Sequence, residues 1–208
     1  MASQYPYSDY TIKWATSQWE IDQAMALRRR VFCQEQGIFE HNDSDHIDGY
    51  AQCLIAVASH GCWHDKVVGT VRIHDEGNHV WWGSRLAVDA NYRGQSGLGT
   101  ALIKLAVSSA HALGCQQFLA QVQKPNEAFF QRLNWQSQFE VMVRNHPHVM
   151  MQAQLDKFPP HTNPNVGFVV RENLSTYQKN TAPALLEQCS AFLSSANQST
   201  SSSQHYLS

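Results

Sequence analysis

The chain carries no excess of either charge. Its 15 Lys and Arg stand against 17 Asp and Glu, a formal net of -2 with histidine neutral. That balance leaves neither the basic face of a nucleic-acid binder nor an acidic tail. Paired cysteines are missing as well. Cys33, Cys53, Cys62, Cys115 and Cys189 are odd in number, scattered, and form no CxxC, which argues against a disulfide frame and for free thiols in a reducing cytosol. No apolar run approaches the ~20 residues that span a bilayer. The segment Met1 to Tyr10 is polar and aromatic and lacks the basic and apolar regions of a signal peptide. The expectation is a cytoplasmic protein with no membrane or nucleic-acid partner.

Other patterns are absent too. There is no Gly-Lys-Ser/Thr, hence no Walker loop. Eleven histidines occur, yet none pair at i, i+4 on a helix, and Asp43, Asp45, His46 and Asp48 follow no zinc spacing. The Asp43-Ser44-Asp45 start lacks the Gly and Glu that complete an EF-hand loop. No metal is expected. No internal repeat is visible.

Hydrophobic residues make up 43% of the 208 positions, enough for a sizeable core in one domain plus a tail. Strand character at 11–15 precedes a helical pattern at 20–36, where Ile21, Met25, Arg28 and Phe32 share a face, Thr16 or Ser17 offers a cap and Gly37 a stop. A polar loop over 38–49 follows. Three strands at 51–58, 67–74 and 79–88 read as an antiparallel meander, its last turn marked by Glu76-Gly77-Asn78. Trp81-Trp82 lies on the last strand, one ring for the core and the other for the core or a pocket wall. The strongest helix is 98–113, with Leu98, Leu102, Leu105, Ala106, Ser109 and Leu113 on one stripe. A strand at 117–122, a short helix at 125–133 and strands at 135–143 and 149–155 complete a mixed α+β domain over 11–157. Residues 1–10 form an N-terminal extension. Residues 158–208 form a C-terminal one, with a possible helix at 182–193 and a Ser-rich end whose composition favours disorder.

Chemistry concentrates where the meander meets the strong helix, in Val88-Asp89-Ala90-Asn91-Tyr92-Arg93-Gly94-Gln95-Ser96-Gly97-Leu98-Gly99-Thr100. A helix start exposes backbone N–H groups and a positive partial charge. Glycines let that backbone approach a phosphate, and Arg93 adds a cation. Two glycines alone fit a plain strand-to-helix turn equally well, but the preceding meander excludes a Rossmann unit.

This stretch resembles the GNAT acetyltransferase superfamily, whose pattern is Arg/Gln-x-x-Gly-x-Gly/Ala. Here Ser96 lengthens the spacing by one residue. Arg28 to Ile38 is similar to the family's first helix, Val68 to Arg72 to its third strand, Arg85 to Val88 to its fourth, and Pro125 to Trp135 to its Asn-led helix. Glu35-Gln36-Gly37-Ile38-Phe39, Val122-Gln123, Phe129 to Leu133 and Pro147 to Met151 resemble a subfamily from bacterial nitrogen-starvation gene clusters.

The resemblance implies a mainly antiparallel central sheet with flanking helices and a V-shaped gap between strands four and five. It implies acetyl-CoA as co-substrate, a small-molecule amine as acceptor, direct attack on the thioester, and a homodimer by analogy of fold. The pantetheine arm would lie along Leu86, Ala87 and Val88. The phosphates would lie on Arg93, Gly94, Gln95, Ser96, Gly97, Leu98, Gly99 and Thr100, with Asn126 on the arm. The family's common acid, a tyrosine, is Phe130 here, which has no proton to give. Candidates for the catalytic groups are Glu35 and His148, and for the acceptor Glu40, Asp48 and Arg85. Each has a plainer reading as a solvated carboxylate or a turn residue. Cys115 is a conceivable acyl carrier, more simply a buried thiol. Arg30-Val31-Phe32 followed by Asp45 and Asp48 is also similar to acyl-homoserine lactone synthases, and Phe130 also fits a non-catalytic acyl-CoA-binding module.

Overall fold

The computed structural model describes residues 9–60, 63–94 and 97–171. The expected helix at 182–193, the Ser-rich end, and Gln95 and Ser96 lie outside the described residues.

Strand β1 (Asp9–Trp14) leads into helix α1 (Gln18–Arg29), whose N-cap is Ser17. The Glu20 carboxylate accepts from the backbone N–H groups of Thr16 and Ser17 at 2.7 and 3.0 Å, and from Lys13 Nζ at 2.6 Å. These contacts satisfy donors that a helix start leaves open. The expected single helix continues instead as a wider π-helical turn, Arg30–Glu35, and Gly37 follows at φ 63°. The covered face is Glu20, Ala24, Leu27, Arg28 and Val31, while Ile21 is exposed. Ion pairs draw Glu20 and Arg28 inward and rotate the buried stripe away from the purely apolar one.

Strands β2 (Gln52–His60), β3 (Trp63–Gly77) and β4 (Val80–Val88) form the expected antiparallel meander. Helix α2 (Leu98–Ala112) then crosses over to β5 (Gln117–Gln123), which pairs with β4 in parallel. Helix α3 (Glu127–Arg132) precedes the hairpin of β6 (Trp135–Val143) and β7 (His146–Ala153). The hairpin turn is the pair Arg144-Asn145, both at positive φ, so β7 begins earlier than 149 and includes Pro147. Pro147 is tolerated because β5 pairs with β7 only from His148 onward.

The sheet order is β6-β7-β5-β4-β3-β2-β1-β8, with β8 at Phe168–Arg171. Its mixed, mainly antiparallel character is that expected from the sequence. The sheet continues past residue 157, however, because β8 pairs with β1. The connection is fastened on the way: His161 N–H donates to Ser108 O, and Trp14 N–H to Pro164 O. A four-residue strand after a proline-rich run carries too little periodicity to be read from sequence.

Alternation along β2 divides the core. Leu54, Ala56 and Ala58 join the cluster built on α2, while Ile55 and Val57 join Ala24, Leu27 and Val31 on the α1 side. Among the described residues, no helix is long and apolar enough to cross a membrane.

Gly167 shows how β8 is held. It sits at φ 66°, and a Cβ there would lie 1.8 Å from Ile12 O. Gly167→Ala is expected to cost about 2–3 kcal/mol through the forced shift, read as a lower urea midpoint at unchanged m-value. An unchanged midpoint would show that β8 docking contributes nothing to the fold.

Candidate active site

The two edges of β4 are out of step. Toward β3, Thr70 pairs with Ala87 and Arg72 with Ser84, so Val71 alone faces both Arg85 and Leu86. This is a β-bulge, and Arg85 takes its strained conformation at φ 56°. Toward β5, pairing ends at Gly83 and Ala120. Beyond that pair the strands part into the V-shaped gap.

A cavity of about 390 Å³ occupies the gap, lined by Gly83 to Leu86 of β4 and Ala120 to Gln123 of β5. Both faces of the sheet contribute to it. Ile103, Ala106, Phe118, Phe130 and Trp135 come from the α2 cluster, and Phe32, Ile38 and Phe39 from the α1 side. Phe118 and Phe130 meet Trp135 edge-to-face at 5.8 and 5.2 Å between centroids. Gly83 makes room for this set, since a Cβ there would stand 2.9 Å from Phe118 Cε1. Trp81 is in the core and Trp82 on the cavity wall.

Below the bulge three arginines meet three aspartates. Arg28 donates to Asp43 at 2.8 Å and to both oxygens of Asp48 at 2.6 and 3.0 Å. Arg72 forks onto Asp45 at 2.6 and 3.1 Å and lies 2.9 Å from Asp48. Arg85 reaches the Asp43 carbonyl and carboxylate at 2.9 and 3.0 Å, and Asp45 at 3.1 Å. The Arg28, Arg72 and Asp43 side chains are almost wholly buried. Burial alone would raise the pKa values of Asp45 and Asp48. Hydrogen bonds from Arg72 to Asp45 and from Arg28 to Asp48 outweigh it and hold both below the usual carboxylate range. Arginine donors thus occupy the acidic cluster whose spacing matched no metal.

The remaining sequence candidates separate. Arg85, Leu86, Asn126 and His148 line the cavity. Ala87 and Val88 continue β4 beyond the bulge. Asp48 is committed to the arginines, and Glu40 is exposed and away from the cavity wall. Glu35 accepts from Arg93 at 2.6 Å, and Arg93 Nε donates to Val88 O at 2.8 Å. The loop cation and the candidate base are therefore each other's counter-ions. Gly94 and Gly97 both have positive φ, and Gly97 caps α2 ahead of Leu98, Gly99 and Thr100. His148 is buried, and its Nδ1 lies 2.9 Å from His146 O. That contact favours the Nδ1–H tautomer and leaves Nε2 as an acceptor. Cys115 is buried, which pushes its thiol up to about 11 and leaves it protonated and unreactive. Sequence reading missed the cavity positions of Phe39 and Arg144. Phe39 ends a stretch quoted for its resemblance but not as a site residue, Arg144 stands in no motif, and only the folded loops bring them together.

Known proteins resemble this chain in sequence and fold. The model of the acetyltransferase (GNAT) family matches residues 11–135. The Bacillus subtilis (strain 168) protein YyaT is 28% identical over 148 residues, covering 70% of this chain and 97% of its own. An acyl-CoA N-acyltransferase from Pseudomonas aeruginosa superposes at TM-score 0.57 with 22% identity, covering 70% of this chain and 99% of its own. The acyl-homoserine lactone synthase LasI does so at TM-score 0.57 with 14% identity, covering 72% and 91%. At these identities the two structures are alike in fold.

The charge network has a measurable acid limb. Asp45 and Asp48 have lowered folded-state pKa values, so their contribution is complete above the unfolded value, roughly 4, and is lost as pH falls below it. Arg72→Met is expected to cost about 3 kcal/mol at neutral pH by removing the forked partner of Asp45 and one of the two arginines on Asp48. It should also flatten the loss of stability below that pH, as read from urea unfolding across a pH series. An acid limb of unchanged steepness would assign it to other groups.

Proposed function

The chain belongs to the acetyltransferase (GNAT) family, and within it we propose a cytoplasmic, acetyl-CoA-dependent N-acetyltransferase of a small-molecule amine. The observation that carries this reading is the parting of β4 from β5 at Gly83 and Ala120, with one cavity reaching both faces of the sheet. Such a gap lets a thioester enter from one face and an amine from the other.

Residues on both sides of the gap suit these partners. Leu86, Ala87 and Val88 have no β5 partners, so an amide-bearing arm can pair along their free edge as an added strand would. The first-turn N–H groups of α2, at Leu98, Gly99 and Thr100, have no intrahelical acceptors and suit a diphosphate. Gly97 holds that helix start in a left-handed conformation at φ 63°. Arg93 steadies the loop through Val88 and Glu35, and Gly94, Gln95 and Ser96 belong to the same proposed phosphate stretch by their place in the sequence. Asn126, on the cavity wall, is suited to the arm. The finer resemblance to the nitrogen-starvation subfamily rests on residues 35–39 and 147–151 and belongs to this same reading.

Of the two catalytic candidates, the reading keeps His148. Its Nε2 has no hydrogen bond among the described residues and can take the proton of an attacking amine. The amine forms the new bond to the carbonyl carbon, the carbon–sulfur bond breaks, and sulfur leaves with the electron pair. Protonated His148 can return the proton to sulfur, a role for which Phe130 has no group.

A second reading has one observation behind it. The likeness to LasI accompanies the Asp45 and Asp48 pair, here bound to Arg28 and Arg72. A third reading, a non-catalytic binding module, rests on Phe130. The separating experiment incubates the chain with acetyl-CoA and a panel of amines and follows free thiol. Turnover supports the acetyltransferase. Turnover only with acylated carrier protein supports the second reading, and CoA binding without turnover the third. His148→Gln is expected to lower kcat about 100-fold, with acetyl-CoA affinity retained. Arg93→Ala with Gly97→Asp should instead weaken acetyl-CoA binding by at least about tenfold, through loss of a loop anchor and a new charge at the phosphate site. Unchanged affinity in the folded double variant would move the cofactor site elsewhere.

A further inference from the structure

We propose that the acceptor amine also carries a carboxylate, and that Arg144, at the turn between β6 and β7, binds it. The inference rests on reading the cavity as the acyl-transfer site, and it names the class of acceptor.

The first observation is charge. The carboxylate and guanidinium groups lining the cavity belong to Asp45, Arg85 and Arg144. Asp45 is matched by Arg72 and Arg85, and Arg85 is tied to Asp43 and Asp45. Arg28, Arg72 and Arg85 thus balance Asp43, Asp45 and Asp48 one for one. Arg144 has no ion pair or hydrogen bond among the described residues. Its guanidinium carbon lies 4.4 Å from the Phe39 ring centroid, and that of Arg85 lies 4.7 Å from the same centroid. The balanced network leaves Arg144 as the guanidinium on the cavity wall with its donors free. A carboxylate fits that planar fork with two parallel hydrogen bonds.

The second observation is backbone. Val143 pairs with His146, so Arg144 and Asn145 are the two central residues of a tight hairpin, at φ 47° and 60°. That turn favours Asn and Gly, and a long side chain at positive φ is costly. Nothing in the turn uses the Arg144 side chain, whose contact is the ring of Phe39 on the cavity wall. Arg144 is an exposed residue at the cavity mouth, and a costly backbone conformation kept at a residue that reaches the cavity wall is the kind found at ligand clamps. His148 lines the same cavity from the strand that this turn begins, so the proposed proton acceptor and carboxylate anchor belong to one hairpin.

The test is acetyl transfer by the full chain with matched acceptors: amino acids, their carboxamides and their decarboxylated amines. The acids are expected to show at least about tenfold higher kcat/KM, the usual weight of a charge-assisted pair. Arg144→Asn suits the turn, so it should fold with an equal or higher Tm. It should raise KM for the acids about 10- to 100-fold and leave kcat, acetyl-CoA affinity and KM for the decarboxylated amines unchanged. Arg144→Lys should restore part of the loss. Equal kcat/KM for acid and carboxamide would overturn the inference, as would an Arg144→Asn effect that falls on acetyl-CoA. Acid binding is also read directly, by the tryptophan fluorescence of the chain, with Trp82 on the cavity wall. If acids bind, Arg144→Asn abolishes their binding, and no amine is acetylated, then the carboxylate site stands and the transferase reading falls.

Discussion

Much of this site depends on how Arg85 is held. Its backbone occupies a left-handed conformation at φ 56°, costly for a long side chain. The residue stays there because its guanidinium is tied to the Asp43 carbonyl, the Asp43 carboxylate and Asp45. Those ties hold the bulge in β4 where its pairing with β5 stops. Without the bulge the two strands would continue in register, and the cavity between them would have no place to form. The loop carrying Asp43, Asp45 and Asp48 is thus part of the sheet's geometry.

The same network explains why its acidic residues are unavailable for proton transfer. Asp45 and Asp48 are ionised and occupied by arginine donors. Glu35 is engaged by Arg93. A base must accept a proton during turnover, and carboxylates held below their ordinary range, as Asp45 and Asp48 are, accept one poorly. His148 differs in kind. It is buried on the cavity wall, its Nδ1 lies against His146 O, and its Nε2 has no hydrogen bond among the described residues. Burial and prior engagement, rather than residue type, sort these candidates.

The apolar part of the cavity follows the same logic. Phe118, Phe130 and Trp135 pack edge-to-face beneath the gap, and Gly83 is small because Phe118 fills the space a side chain would need. Phe130 contributes packing where the family resemblance pointed to a hydroxyl.

Local pattern was enough for much of this protein. Alternation along 51–88, the helical stripe beginning at Leu98 and the glycines around it carried the meander, the crossover helix and the family, because these features repeat at the spacing of their own secondary structure. Motif position also singled out Leu86, Asn126 and His148, which the fold places on the cavity wall. The exposed face of Ile21 and the pairing of β8 with β1 were not legible, because each depends on contacts distant in sequence. Tertiary structure also decided the partners of charge. Arg28 meets Asp43 and Asp48, Arg93 meets Glu35, and Arg144 is left over Phe39 without a counter-ion among the described residues. Sequence lists the charged groups, but which of them neutralise each other depends on distances of a few ångströms, and only the folded chain sets those.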